Sequence, residues 1–223
     1  MIRFIRALTA LCFLLVPGGA GAYTDPIVCP PPFTELTPAA NAARASDAAF
    51  LHLRDIGSDA GYLAADRSAF FAIGTRSAEA LPPYILAEGQ LRIVLFLRKG
   101  TPLPGGLAVG GPASDIVRIF GPVYPVSRSD IYENEPRTGM YTENTHTFRD
   151  GRMFRYYTLT YADRNGRSVQ FLVDRDTKTI AAAACWDGTS VSRPDTAAAD
   201  ALTRWGLWRL LFPSPSGQGA LAL

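Results

Sequence analysis

Hydrophobic and polar positions alternate most regularly in the second half of the chain. Asp150-Gly151 and Asn165-Gly166 are both strong hairpin-turn signals. Between and around them lie runs of strand type. One ends at Phe148-Arg149, a second spans Met153 to Ala162, a third Ser168 to Asp174 and a fourth Thr179 to Trp186, with Arg175-Asp176-Thr177 as the last turn. In the second run Phe154, Tyr156, Thr158 and Thr160 alternate with Arg155, Tyr157, Leu159 and Tyr161. The period of two predicts one apolar face and one face of tyrosines and arginines.

Upstream, Ser114 reads as the cap of a short helix, Asp115 to Phe120, stopped by Gly121-Pro122, and a polar, tyrosine-rich excursion follows through Tyr141. Downstream, Pro194 to Phe212 carries Ala198, Leu202, Trp205 and Trp208 or Arg209 on one helical stripe, and Pro213 ends it. The first half has softer signals. Thr37-Pro38 suits a helix start, and alanine-rich Ala39 to Ile56 places Phe50, Leu53 and Ile56 at roughly helical spacing before Gly57. Ser58-Asp59 predicts the cap of a second short helix running to Phe71. Gln90 to Leu97 is short, apolar and bounded by turn residues, so it predicts a strand covered on both faces. Gly100, Pro102, Pro104, Gly105, Gly106 and Gly110 then mark a loop.

These elements predict an α+β fold: a four-stranded antiparallel meander with flanking helices, preceded by a helical, one-strand N-terminal part. The expected organisation is a signal peptide over 1–22, an extended proline-rich leader over 23–36, the N-terminal part over 37–111, the helix, sheet and last helix over 112–212, and a flexible tail over 213–223.

The signal reading rests on Arg3 and Arg6 before the apolar run Ala7 to Val16, then Pro17-Gly18-Gly19 and the small-residue site Ala20-Gly21-Ala22. The apolar run is too short to span a bilayer. The expected location is therefore periplasmic or secreted. Removing those residues leaves 20 Lys and Arg against 20 Asp and Glu, a formal net charge of zero. No basic stripe remains, which argues against nucleic acid. Cys29 and Cys185 stay in the mature chain. In an oxidising compartment two distant cysteines predict one disulfide, the rival being two buried thiols.

The short helix ending at Phe120-Gly121-Pro122, the polar excursion and the hairpin meander resemble SmpA/OmlA-type (BamE-like) envelope domains, a fold also used by β-lactamase-inhibitor proteins. The resemblance covers residues 112–186. It implies protein binding through the sheet face rather than catalysis.

Chemical motifs are sparse. Neither a Cys-x-x-Cys nor a His-x-x-x-His pattern occurs, so no metal or other cofactor is expected. Gly-x-Ser-x-Gly is missing. Gly105-Gly106 and Gly110-Gly111 lack the lysine and hydroxyl residue of a phosphate loop. Asp130, Glu133, Glu135 and Glu143 form an acidic cluster without the spacing of a calcium loop. The remaining surface of interest is Tyr124, Tyr132, Tyr141, Arg155, Tyr157 and Tyr161, residue types that favour contact with proteins and sugars. The leading expectation is thus a non-enzymatic module that binds an envelope protein or polymer through these residues. The alternative is a small envelope-polymer hydrolase using the 130–143 carboxylates and His146. Trp205 and Trp208 on the last helix are expected to pack on the sheet, with membrane contact as the less favoured alternative.

Overall fold

The structure, a computed structural model, describes residues 26–77, 79, 87–122, 124, 125 and 140–213. The expected signal peptide, the flexible tail from residue 214 on, and Tyr132 with Asp130, Glu133 and Glu135 lie outside these residues. The expected four-stranded meander is half of a much larger sheet. Nine strands run in the spatial order β1-β2-β3-β4-β9-β8-β7-β6-β5. They are β1 (Phe50–Ile56), β2 (Asp59–Ala64), β3 (Ala69–Gly74), β4 (Leu91–Phe96), β5 (Tyr124–Pro125), β6 (Met140–Thr147), β7 (Met153–Ala162), β8 (Arg167–Asp174) and β9 (Ile180–Asp187). All neighbours pair antiparallel except the two-residue β5, which is parallel to β6.

The helical reading of the first half is corrected. Helix α1 is only Pro38–Ala45, with Thr37 accepting from the Ala40 N–H as predicted for a cap. Phe50–Ile56 is a strand instead. Its spacing imitates a helix because a bulge between His52 and Arg54 reverses the alternation. Phe50 therefore packs on one side of the sheet while Leu53 and Ile56 pack on the other. Gly57-Ser58 closes a hairpin and Asp59 opens β2 rather than a helix, and Tyr62, Leu63, Phe70, Phe71 and Ile73 are strand residues. Helix propensity, alanine's included, is a weak preference, and the ladder that pairs β1 with β2, β2 with β3 and β3 with the central strand β4 outweighs it. Strand β4 is sandwiched between β3 and β9 and almost wholly buried, as its apolar run predicts.

The two halves have one plan. In each, a helix precedes a four-strand antiparallel meander: α1 before β1–β4, and α2 (Ser114–Phe120) before β6–β9. The last strands meet at the centre, where Leu95 opposes Ala184, flanked by Val94 with Cys185 and Phe96 with Ala183. This register has local two-fold symmetry. Matching bulges support it, since pairing skips Arg92 in β4 and Ala181 in β9. Superposing the bulges sets Phe71 on Phe171 and Phe70 on Gln170. The segment between β4 and α2 is stitched to the start of β9: Gly110 N–H donates to Ile180 O at 2.7 Å and Ala113 N–H to Lys178 O at 2.9 Å.

Two apolar layers sandwich the sheet. On one side lie the leader, α1 and α2. Phe33 from the leader meets Phe71 and Phe96 edge to face, and Phe120 from α2 meets Phe171 at 5.3 Å. On the other side lie α3 (Ala197–Trp205) and the one-turn α4 (Trp208–Leu211). The single last helix predicted from Pro194 to Phe212 is broken by Gly206, whose φ of 68° lies in the left-handed region. Gly61 is required by close approach: a Cβ there would sit 2.4 Å from the Trp205 ring. Asp59, only 2% exposed, lies 2.7 Å from the Arg204 guanidinium and 3.7 Å from that of Arg92. Its Oδ2 makes no aligned hydrogen bond, so the pairing is Coulombic.

Candidate functional site: a tyrosine and arginine face on β6 and β7

Alternation along β7 puts Arg155, Tyr157, Leu159 and Tyr161 on the side of α1 and α2. The Asp150-Gly151 hairpin sets the register of β6, placing Tyr141 opposite Leu159, Glu143 opposite Tyr157 and Thr145 opposite Arg155. Burial falls steadily along the strand. Tyr161 is 1% exposed under Phe120, at 5.1 Å, and its hydroxyl donates to Gly121 O at 2.9 Å. Leu159 is also buried, Tyr157 is half-buried and Arg155 is exposed. Helix α2 thus roofs one end of the row and leaves the other open. Tyr161 belongs to the core. Tyr124 lies in β5 beside Met140.

The open end is compact. The rings of Tyr141 and Tyr157 lie 5.4 Å apart. The Tyr141 hydroxyl donates to Glu143, which also faces Arg175 at 3.4 Å. Lys178 stands 5.7 Å over the Tyr157 ring, and Arg155 pairs with Asp176 at 2.6 Å. Burial, then the hydrogen bond to Glu143, pushes the Tyr141 phenol up to about 12. Burial also raises that of Tyr157. Both phenols are therefore neutral donors near pH 7, set among charges of both signs. Such a surface can stack on a planar or sugar ring and offer hydrogen bonds at its margin. Glu143, Arg175 and Lys178 were not among the expected binding residues. Counting outwards from a two-residue turn at Asp150-Gly151 would set Glu143 opposite Thr158; the loop instead spans 149–151, with Phe148 N–H donating to Arg152 O, and that one-residue difference brings Glu143 to Tyr157.

The groups expected to cooperate in catalysis do not converge. Glu143 and His146 project from opposite faces of β6, the former to Arg175 and the latter to Trp208, whose ring it stacks on at 4.2 Å. Cys185 packs in the opposite apolar layer from Trp208 and hence from His146. The expected bridge between Cys29 and Cys185 is not formed: both are buried free thiols. They are neighbours all the same, and burial, reinforced by a hydrogen bond with Cys29, pushes the Cys185 thiol well up. Among the described residues no three His, Cys, Asp or Glu side chains converge as metal ligands. Trp205 and Trp208 are 4% and 5% exposed, packed against the sheet. No helix among the described residues is long and apolar enough to cross a membrane.

No protein-family model matches the chain, and neither a curated protein nor a solved structure does.

Proposed function

We propose that this chain is a non-catalytic binding module, exported from the cytoplasm, whose Tyr141, Tyr157 and Arg155 face takes an envelope protein or polymer. The observation that carries this reading is the open end of the β7 row. Two phenol rings, tilted 36° to each other, stay half-buried beyond the reach of α2, ringed by Glu143, Arg155, Arg175 and Lys178. Tyrosine and arginine dominate interface energetics because each offers a large rigid surface with polar ends. The opposed directions of Glu143 and His146 favour binding over hydrolysis.

Two arms test the proposal in cells that export the protein. Sedimentation with isolated peptidoglycan sacculi reads polymer binding. Photo-crosslinking from a benzoylphenylalanine at position 157 reads a protein partner. One arm should respond, and Arg155→Ala with Tyr141→Ala should weaken it by tenfold or more while the melting temperature stays within a few degrees. Silence in both arms, or a response indifferent to those substitutions, removes this face as the binding site.

A further inference from the structure

The opposite side of the sheet carries a second, unrelated feature. The sheet curls around α3 and α4 until its two ends share a cleft of about 680 Å3. Leu53 and Arg54 come from β1 at one end, and His146 with the hairpin 148–152 from the other. The corner at Gly206 supplies the floor. A volume of this size is typical of sites for small molecules.

The lining is divided by polarity. Its floor is apolar and aromatic: Trp208 carries the stacked His146 ring, and Phe148 and Phe212 meet edge to face at 5.8 Å. The polar end of the Trp208 indole is already satisfied, donating to Thr203 Oγ1 at 2.9 Å. Burial holds His146 below the usual imidazole range, so it adds no charge near neutral pH. The rim is cationic. Arg54, Arg149, Arg152 and Arg209 line it against one carboxylate, Asp150. Asp150 is taken by Arg152 at 2.8 Å, and Arg54 donates to Arg204 O at 2.9 Å. Arg149 and Arg209 have no ion pair among the described residues. Two arginines without an ion pair therefore line an aromatic trough in a chain that is otherwise close to neutral.

We infer that this cleft is a binding site for a monomeric anionic amphiphile, a single apolar chain or ring system ending in a carboxylate, sulfate or phosphate. The apolar body lies along Trp208, Phe148 and Phe212, and the anionic head meets Arg149 and Arg209. Guanidinium matches such heads because it donates two parallel hydrogen bonds to paired oxygens. A cation would meet a rim of like charge, and an uncharged chain would leave both arginines without a partner. The site is independent of the tyrosine face, since it lies on the other side of the sheet.

The test is a titration of the full mature chain with dodecanoate in monomeric form, read by tryptophan fluorescence, because Trp205 and Trp208 both line the cleft. Dodecanol and dodecyltrimethylammonium are the charge controls. Saturable binding of dodecanoate, at least tenfold tighter than dodecanol, is expected. R149Q with R209Q should remove that preference and leave the dodecanol affinity and the melting curve unchanged, both side chains being exposed. Tyr157→Ala should leave dodecanoate binding intact, which separates this site from the proposed interface. Equal affinities for the three probes, or a preference that survives the double substitution, overturns the inference. So does retention on phosphatidylglycerol vesicles without binding of monomeric dodecanoate, since the rim would then read a membrane. Preference for an apolar peptide ending in a carboxylate overturns it as well.

Discussion

Gln170 joins the sheet to the helix that covers it, and replacing it with leucine tests how much that joint contributes. Its side chain is fully buried. Nε2 donates to Thr160 Oγ1 and to Pro194 O, each at 2.7 Å, and Oε1 accepts from the Ala198 N–H at 2.8 Å. Ala198 is in the first turn of α3, where backbone N–H groups have no partner within the helix. The cap of α3 is thus supplied from strand β8 rather than by its own N-cap residue, Thr196, which makes no such bond. Leucine is close in volume, so the substitution removes hydrogen bonds without opening a large cavity. Two donated bonds contribute about 1 kcal/mol each, and an orphaned, buried Ala198 N–H costs about 1–3 kcal/mol. Pro194 O keeps a weak donor in Thr160 Oγ1 at 3.4 Å, which limits the loss. Burying apolar atoms where an amide stood offsets a further part, leaving about 3 kcal/mol. For a chain of this size that is a fall in melting temperature of about 6–12 °C.

Urea unfolding followed by circular dichroism measures the loss, and hydrogen exchange of the α3 amides locates it. Gln170→Met should lose the same amount, because the missing hydrogen bonds and not the branching of leucine are at issue. Thr160→Val added to Gln170→Leu should cost little more, because the two side chains share one network. A loss below 1 kcal/mol, or unchanged exchange at Ala198, would refute the capping role.

Gly61→Ala forces a methyl group against the Trp205 ring and the Phe70 ring at 2.9 Å, so it should destabilise by about 1–3 kcal/mol in thermal melts; a neutral result would show that α3 can shift away. Burial pushes the Tyr156 phenol up to about 12, above the value of about 10 in an unfolded chain. The unfolded state therefore ionises first, and stability present below pH 10 is lost as pH rises towards 12. The urea midpoint should fall over that range, and Tyr156→Phe should flatten the fall; an identical pH profile would remove Tyr156 as the cause. Cys29 and Cys185 are adjacent, so protein exposed to a disulfide oxidant should pass from two alkylatable thiols in denaturant to none, with a mass loss of two hydrogens. Two thiols alkylated after such treatment would refute the pairing.

Legibility in the sequence followed the range of the interactions involved. The second meander could be read because Asp150-Gly151 and Asn165-Gly166 fix turns locally, although each loop holds one residue more than the dipeptide and so sets a register one residue away from the simplest count. Strand β4 could be read because a residue buried on both faces leaves an apolar run. The first hairpins were obscured by alanine and by the bulge at Leu53, which converts a period of two into an apparent period of three. Tyr157 and Tyr161 were correctly placed on one face. Which of them stays open depends on where Phe120 of α2 lands, a contact spanning some forty positions of chain that alternation does not encode. The cleft was least legible of all. Its arginines come from β1, a hairpin and α4, and only the curvature of the sheet brings them together.

The near-symmetry of the two halves explains why that curvature ends in a cleft. Were the halves identical, both sides of the sheet would be covered alike at either end. Sequence breaks the symmetry at matched positions. Where the first half has Phe70 and Gly61, the second has Gln170 and Thr158. Phe70 and Gly61 receive the ring of Trp205 at the C-terminal end of α3. Gln170 and Thr158 bind the backbone at its N-terminal end, Thr158 donating to Asp195 O at 3.0 Å. One helix is thus held by an apolar socket in one half and a polar socket in the other, and lies across the axis between them. The ion pair of Arg204 with Asp59 fixes its far end against β2. A helix locked in that orientation must turn at Gly206 to stay on the sheet. The turn carries Trp208 across to His146 and leaves the space between β1 and the 148–152 hairpin uncovered. The arginines gather at the rim of a part of this face that α3 and α4 leave unfilled.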